Sequence, residues 1–303
     1  MARPVGVSVP ATSGNLGAGF DVLGVSLDLR NEVWLEPWPG GLCLEIEGEG
    51  SRELSRGSDN LAVRTLKHFY RRSLSGLKIR LVNRIPLARG LGSSAAVRLG
   101  MALAANRYFR LGWKRERLLE ETARLEGHPD NAAAAFCGGL CLSVWEGGIL
   151  RTERWDMPKE WKAVLCIPEF QLSTEKARKI LPKKVSLKDS VFNLSRALSF
   201  LAAVVRGKKD FLRWAMEDRL HQPYRARLIP GFHAVLDAAL RSGAAGAALS
   251  GAGSSILAIS AAPSAARRVG QAMCRAFRQK GKESRFCILD FDRRGVLELS
   301  DNG

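Results

Sequence analysis

The sequence predicts a mixed α+β protein of two domains, and three observations carry that expectation. The chain has 303 residues, too many for one small domain and suited to two of about 150. Apolar residues make up 46% and charged residues 25%, the balance of a soluble chain with a substantial core. Segments of two-residue alternation and segments of helical spacing follow one another in mixed order, without strict βα repetition.

Residues 3–9 and 25–38 read as strands, the second rich in Val, Leu and Trp. Helical spacing covers 60–72, with Leu61, Leu66, Phe69 and Tyr70 as the apolar face. Residues 76–85 alternate as a strand through Leu77, Ile79, Leu81 and Ile85, and Pro86 ends it. A glycine-bearing loop then leads into an alanine-rich helix over 93–109, and a second helix over 114–126 stops at Gly127. An alanine-rich segment at 131–136 precedes a strand near 140–145. The tract 147–159, with Pro158, is the expected boundary and divides the chain into domains 1–152 and 153–303. Beyond it a strand is expected at 163–167, and helices at 174–181, 187–205, 210–220 and 229–242. Strands at 246–250 and 255–259 flank a Gly-Ala-Gly turn; a helix over 265–280 and a strand over 284–289 complete the series.

Composition narrows the function classes. No stretch of 18 apolar residues exists, and residues 1–10 lack a basic-then-apolar leader, so neither a membrane nor a secreted protein is expected. The six cysteines are scattered, without a Cys-x-x-Cys pair or clustered His. That suits reduced thiols of a cytoplasmic protein and points away from a zinc site. Lys and Arg number 47 against 30 Asp and Glu, a net charge of +17. The first 150 residues carry +4 and the rest +13. The basic residues come in short groups such as Lys183-Lys184 and Arg267-Arg268, without interleaved aromatics. A solvated basic surface accounts for them, and no nucleic-acid partner is expected.

Chemistry concentrates in the glycine loop Pro86-Leu87-Ala88-Arg89-Gly90-Leu91-Gly92-Ser93-Ser94-Ala95-Ala96. Glycines there let the backbone turn sharply and bring its N–H groups against a ligand, and a helix N-terminus attracts anions, phosphate above all. A plain capped loop is the simpler alternative, because Gly-Ser pairs cap many helices. No Gly-Lys-Ser/Thr follows, so this is not a P-loop, and the third glycine of a dinucleotide fingerprint is missing.

Two further motifs change the weighing. Pro10-Ala-Thr-Ser-Gly14-Asn15-Leu-Gly17-Ala18-Gly19-Phe20-Asp21 stands near the N-terminus, and Leu249-Ser250-Gly251-Ala252-Gly253-Ser254-Ser255 near the other end. With Glu126-Gly-His128-Pro-Asp130-Asn131 and Arg225-Ala-Arg-Leu-Ile-Pro-Gly231, the set resembles the GHMP small-molecule kinases from about residue 5 to 260. Departures are few: Gly14 where alanine is common, Ala18 where proline is common, and Ser254 where proline usually follows Gly-Ala-Gly. Ser254 is expected to loosen the third loop.

The resemblance implies an N-terminal domain like ribosomal protein S5 domain 2, with a left-handed βαβ crossover, and a ferredoxin-like C-terminal domain. It leaves open a return of the final strand to the first domain. It implies that the loop 86–96 binds ATP, and that Mg2+ is held by Ser94 and a carboxylate, Glu126, with Glu120 and Glu121 as rivals. Asp21 would take a substrate ammonium and Asn15 its polar groups, although an Asx turn within the motif is the simpler reading of that pair. His128 would touch substrate, with Asp130 and Asn131 beside the reacting hydroxyl; Asp130 is open as a base, and so is direct attack by the alcohol. Thr174 and Arg178, four apart on one helical face, would join Arg225 around a substrate carboxylate, where the alternative for each arginine is a surface salt bridge, and Gly251 would also touch substrate. Arg227 is a weaker candidate. The implied activity is ATP-dependent phosphorylation of the side-chain hydroxyl of L-homoserine, a step of threonine biosynthesis, by a homodimer. A mevalonate or sugar kinase is the alternative within the family, and a basic nucleic-acid-binding module the alternative outside it.

Overall fold

The computed structural model describes residues 3–299. Strand β1 (Val5–Asn15) turns over residues 16–18 into β2 (Gly19–Pro37), and the two pair antiparallel almost to their tips. The first motif, which lies between the strands expected at 3–9 and 25–38, is therefore the end of a long hairpin. Strand β3 (Cys43–Gly48), helix α1 (Leu61–Phe69) and β4 (Leu77–Asn83) come next, with β4 lodged between β2 and β3 and parallel to β3. Helices α2 (Ser93–Tyr108), α3 (Arg115–Glu126) and α4 (Asp130–Cys137) precede the hairpin of β5 (Leu140–Glu146) and β6 (Ile149–Trp155).

Strand β7 (Lys162–Pro168) opens a second sheet. Helices α5 (Thr174–Lys179), α6 (Leu187–Arg206), α7 (Leu212–Ala215), α8 (Gln222–Arg225) and α9 (Phe232–Arg241) lead to β8 (Gly246–Leu249) and β9 (Ile256–Ser260). Helix α10 (Pro263–Arg278) and β10 (Ser284–Leu289) follow. Sheet order β10-β7-β9-β8, all antiparallel, is the ferredoxin-like arrangement. Strand β11 (Leu297–Leu299) pairs with β1, so the last described strand lies in the first sheet, ordered β11-β1-β2-β4-β3.

Helix α2 is buried along nearly its whole length, which explains its alanines: it lies so close to the first sheet that a Cβ on Gly100 would come within 2.6 Å of Val33. One apolar core joins Val9, Val33 and Leu99 of the first sheet layer to Leu165, Phe200 and Leu257 of the second. Among the described residues no helix is long and apolar enough to cross a membrane.

Four sequence expectations change. The tract 147–159, expected as the domain boundary, contains β6, and position 152 lies inside that strand. Strand β3 was not anticipated, and the final strand left open as a return to the first domain is β11, not the strand over 284–289; β3 and β11 are each short and dependent on a distant partner. The helix expected over 210–220 is a short 3₁₀ turn and the four-residue α7. Asp218 stops it, because its carboxylate accepts the backbone N–H groups of Leu220 (3.0 Å), His221 (2.9 Å) and Gln222 (2.6 Å).

Candidate active site

The three glycine motifs, far apart in sequence, meet at one point. Gly251 donates its N–H to the Gly14 carbonyl (3.1 Å), and its own carbonyl accepts from the Asn15 amide (2.9 Å). Ser250 donates to the Gly90 carbonyl (2.7 Å), and its oxygen lies 2.9 Å from the Ser13 hydroxyl. Glycine at position 90 is required twice over. Its φ is +71°, and a Cβ there would lie 2.0 Å from the Ser250 carbonyl. Gly92 (φ +70°) likewise leaves no room against Thr12. Ser254, expected to loosen the third loop, instead donates to the Phe170 carbonyl (2.7 Å) and holds it.

A cavity of about 310 Å3 lies where these loops meet. Its glycine-loop wall is Pro86, Ala88 to Gly92, Ser93 and Ser94, at the N-terminus of α2. Leu87 points instead into an adjoining apolar cavity of about 290 Å3, shared with Leu54, Leu61, Leu81 and Val97. Ala95 and Ala96 are buried in the body of the molecule, away from both cavities. Arg89 lines the first cavity, yet its guanidinium donates to the carbonyls of Pro168 (2.8 Å), Leu87 (3.2 Å) and Glu169, tying the loop to the second domain.

The opposite wall carries charge. Asp21 accepts from both terminal nitrogens of Arg178 (2.6 and 3.0 Å), a bidentate pair. Asn15 accepts the Asp21 N–H (3.0 Å) while it holds Gly251, so its amide fixes the loop that presents Asp21. That bond spans six residues, so it ties the loop together without being the two-residue reach of an Asx turn. Arg225 is buried; it donates to the carbonyls of Ala177 (3.2 Å) and Gly251 (3.1 Å) and to Nδ1 of His221 (3.2 Å). Burial, and then the charge of Arg178, lower its pKa to about 10, so it remains a cation at neutral pH. Because arginine only donates, His221 Nδ1 is the acceptor, and Nε2 carries the proton toward the Gly17 carbonyl (2.8 Å). Burial lowers the His221 pKa and keeps it neutral. Thr174 lines the cavity at the start of α5.

The remaining wall is the segment between α3 and α4. His128 Nδ1 lies 2.5 Å from Asp130 Oδ1, which also accepts the N–H (2.8 Å) and side-chain amide (3.1 Å) of Asn131. Asn131 in turn accepts from Thr12 (2.8 Å). Burial by itself would lower the His128 pKa, but the Asp130 hydrogen bond and charge raise it above the ordinary value. Burial would raise Asp130, and the His128 contact overrides it, so the carboxylate sits below its ordinary range. A carboxylate so held is a poor proton acceptor.

Ser94 donates to Glu126 (2.8 Å), and Glu126 also pairs with Arg98. Both Ser94 and Glu126 line the cavity, and a hydroxyl beside a carboxylate is a hard-oxygen set of the kind Mg2+ takes. Glu120 instead accepts from Leu150 N (3.3 Å), and Glu121 faces His68 (3.4 Å) and Arg124 (2.8 Å). Asp21, His128 and Asp130 also bring donor atoms within 4.8 Å of one another. Arg178 and the His128–Asp130 bond already engage those donors. Arg227 is exposed and lies outside the cavity lining.

Two residues escaped the sequence reading. Phe20 stacks on His221 (centroids 5.2 Å apart), and the guanidinium groups of Arg178 (5.7 Å) and Arg225 (5.3 Å) lie over the same ring. Their signals were present: Phe20 precedes Asp21, and His221 stands four residues before Arg225, on the same helical face.

A ferredoxin-like domain, a helix N-terminus wrapped in glycines and three interlocked glycine motifs define a GHMP kinase. Accordingly, the family of GHMP kinases N terminal domains matches residues 60–139 and that of GHMP kinases C terminal domains matches residues 200–279. The chain is 41% identical over 298 residues to the homoserine kinase of Persephonella marina, covering 97% of this chain and 98% of that one. Against the homoserine kinase of Carboxydothermus hydrogenoformans the identity is 40% over 296 residues, with 97% and 96% covered. The crystal structure of homoserine kinase from Cytophaga hutchinsonii superposes with a TM-score of 0.86 at 29% identity, covering 99% and 98% of the two chains. The mevalonate kinase of Methanococcus jannaschii shares the fold alone, with a TM-score of 0.66 at 14% identity over 94% and 98%. The chain belongs to the homoserine kinases of the GHMP family.

Proposed function

We propose that the chain transfers the γ-phosphoryl group of ATP to the side-chain hydroxyl of L-homoserine, giving O-phospho-L-homoserine and ADP in threonine biosynthesis. The observation that carries this reading is the charge pattern facing the phosphate loop. Asp21 and the guanidinium groups of Arg178 and Arg225 line one cavity, whose other charged residues are engaged elsewhere, Arg89 by backbone carbonyls, Glu126 by Arg98 and Asp130 by His128. That is the complement of an amino acid, with an ammonium for Asp21 and a carboxylate for the arginines. Mevalonate offers no ammonium, and a sugar offers neither charge.

Backbone N–H groups of residues 90–94 would cradle the phosphates, with the adenosine in the apolar cavity beside Leu54, Leu61 and Val97. Ser94 and Glu126 would hold Mg2+, which when bound neutralises phosphate charge. His128 would orient the substrate. Asp130 favours the protonated imidazole and holds Asn131 in place, and at its lowered pKa it serves orientation rather than proton abstraction. The hydroxyl oxygen forms the new P–O bond, the β–γ bridge breaks toward ADP, and the hydroxyl proton leaves with the phosphate or to solvent. The working unit is a homodimer in the cytoplasm, the setting that the family resemblance implies. An ADP-release assay across homoserine, serine, threonine, mevalonate and galactose tests the reading. Turnover should be confined to homoserine, and preferential turnover of mevalonate or galactose would overturn it.

A further inference from the structure

A second cavity, of about 670 Å3, opens where α1 and α2 end and α3 begins. It is separate from the glycine loop: Ser93 opens α2, and Phe109, in the wall of this cavity, follows the helix's last residue about 24 Å further along the axis.

Its charge is one-sided. Arg71, Arg72, Arg110 and Arg117 line it with exposed side chains, and among the described residues none of the four reaches a carboxylate. The carboxylate in the wall, Glu121, is already held by Arg124 (2.8 Å) and His68 (3.4 Å). Cations gathered around one concavity repel each other and focus a positive field, which an anion relieves. Cations that follow helix C-termini complement the helix dipole, and for Arg71, Arg72 and Arg110, after α1 and α2, that would be reason enough. Arg117 has no such reason, because it stands in the first turn of α3, where the dipole disfavours a cation.

Arg110 is also held at a cost. It stands just past the cap of α2 with φ +52°, a left-handed position that favours glycine. A guanidinium kept there against the backbone's preference points to a use in the cavity that it lines. The wall between the cations is flat and aromatic. Tyr70 and Phe109 stack with centroids 3.6 Å and planes 6° apart, and the Arg117 guanidinium lies 4.0 Å over the Trp113 ring. Such a wall suits a planar ring, and guanidinium groups suit phosphate oxygens. We propose that this cavity is a second ligand site, for a phosphate-bearing compound with a planar aromatic ring, the chemical class of the nucleotides. Its volume suits a ligand of that size. Arg117 shares α3 with Glu126, nine residues and about 14 Å away. A ligand here therefore bears on the helix that carries the carboxylate beside Ser94.

Isothermal titration calorimetry of the full chain with ADP and Mg2+ should count two molecules per chain, one here and one at the glycine loop under the proposed function. Arg110→Gly and Arg117→Gln should each weaken the second site at least about tenfold, the loss of one charge-assisted contact, and leave the first unchanged. Raised salt should weaken the second site as well. Glycine takes a positive φ freely, so Arg110→Gly should melt at the wild-type temperature or above, followed by circular dichroism. Pyrophosphate has the charges without the ring, and at the site that Arg110→Gly removes it should bind at least about tenfold more weakly than ADP. A second site that both variants leave intact, or none at all, overturns the proposal and leaves the proposed function standing. A single ADP per chain that Arg110→Gly abolishes supports this site and counts against the glycine loop instead. Pyrophosphate that binds as tightly as ADP overturns the nucleotide class, and so does a single-stranded oligouridylate that binds where ADP does not.

Discussion

Asp21 sits at φ +58°, in the left-handed region that a residue with a side chain rarely adopts, and there its carboxylate is held by both terminal nitrogens of Arg178. Under the proposed function the pair is a template for a zwitterion: a guest bearing an ammonium and a carboxylate would replace each partner for the other. Asp21→Asn should cut kcat/KM for homoserine about ten- to a hundredfold, the value of one charge-assisted contact of roughly 1.5–3 kcal/mol. On 4-hydroxybutyrate, which lacks the amine, the same variant should lose little or gain, because Arg178 is released for the carboxylate. Equal losses on both substrates would assign Asp21 to loop shape alone. A second residue-scale expectation concerns His128, whose pKa lies above its ordinary 6.5. The folded chain then holds a proton that the unfolded chain releases. The contribution of His128 to stability is whole below pH 6.5 and is lost as pH rises through the folded value. Asp130 is the mirror case: lowered from 3.8, it contributes fully above that value and loses the contribution as pH falls through its folded pKa. Asp130→Asn removes what raises the imidazole and leaves burial, so the His128 midpoint followed by NMR should fall below 6.5. An unmoved midpoint would mean the contact does not hold the proton.

At the scale of elements, the first turn of α2 and the end of α3 are brought together by Ser94 and Glu126. If the proposed function holds, Ser94→Ala should lower kcat strongly and leave KM for homoserine near normal, since the hydroxyl would act on the phosphate side, where charge is redistributed in the transition state. Wild-type turnover would remove Ser94 from the site. These positions were legible in the sequence because glycine, serine and a helix start serve the backbone locally, whatever lies around them. Glu126 could not be chosen over Glu120 and Glu121 from sequence, since only the turn at Gly127 decides which carboxylate faces the loop. The β1–β2 hairpin was hidden for another reason. Gly14, Gly17 and Gly19 look like a loop, yet Gly14 is a strand residue kept small by its neighbour: a Cβ there would lie 2.2 Å from the Asp130 carboxylate. Helix α6, which buries Phe200, Ala203 and Val204 and leaves Leu187, Val191 and Leu194 exposed, shows the converse limit. Helical spacing is written in the residues, but which apolar side meets the core is settled only by tertiary packing.

Across the whole molecule, the chain closes on itself through a buried ion pair. Arg30 on β2 meets Asp292 at 2.6 Å, and its other bonds go to Ser8 and to the carbonyls of Ser8 and Gly295. Asp292 in turn accepts the N–H groups of Arg294 and Gly295, so one carboxylate shapes the turn that sends β11 back beside β1. Neither residue has a sequence signal, because the pair spans most of the chain and both members read as surface charges. Burial lowers the Arg30 pKa, with Asp292 the chief opposing influence. Asp292→Ala would leave a guanidinium buried without its partner and the turn without its acceptor. Breaking a buried pair in this way costs about 3–5 kcal/mol. Urea unfolding should therefore show a markedly lower midpoint with little change in slope. Kinetic constants measured well below the transition should stay near wild type, since neither residue lines the cavity. Arg30→Met combined with Asp292→Leu should recover part of the loss by removing the stranded charge, though not the part that belongs to the turn. An Asp292→Ala chain with an unshifted midpoint would mean that β11 is held by its strand pairing alone.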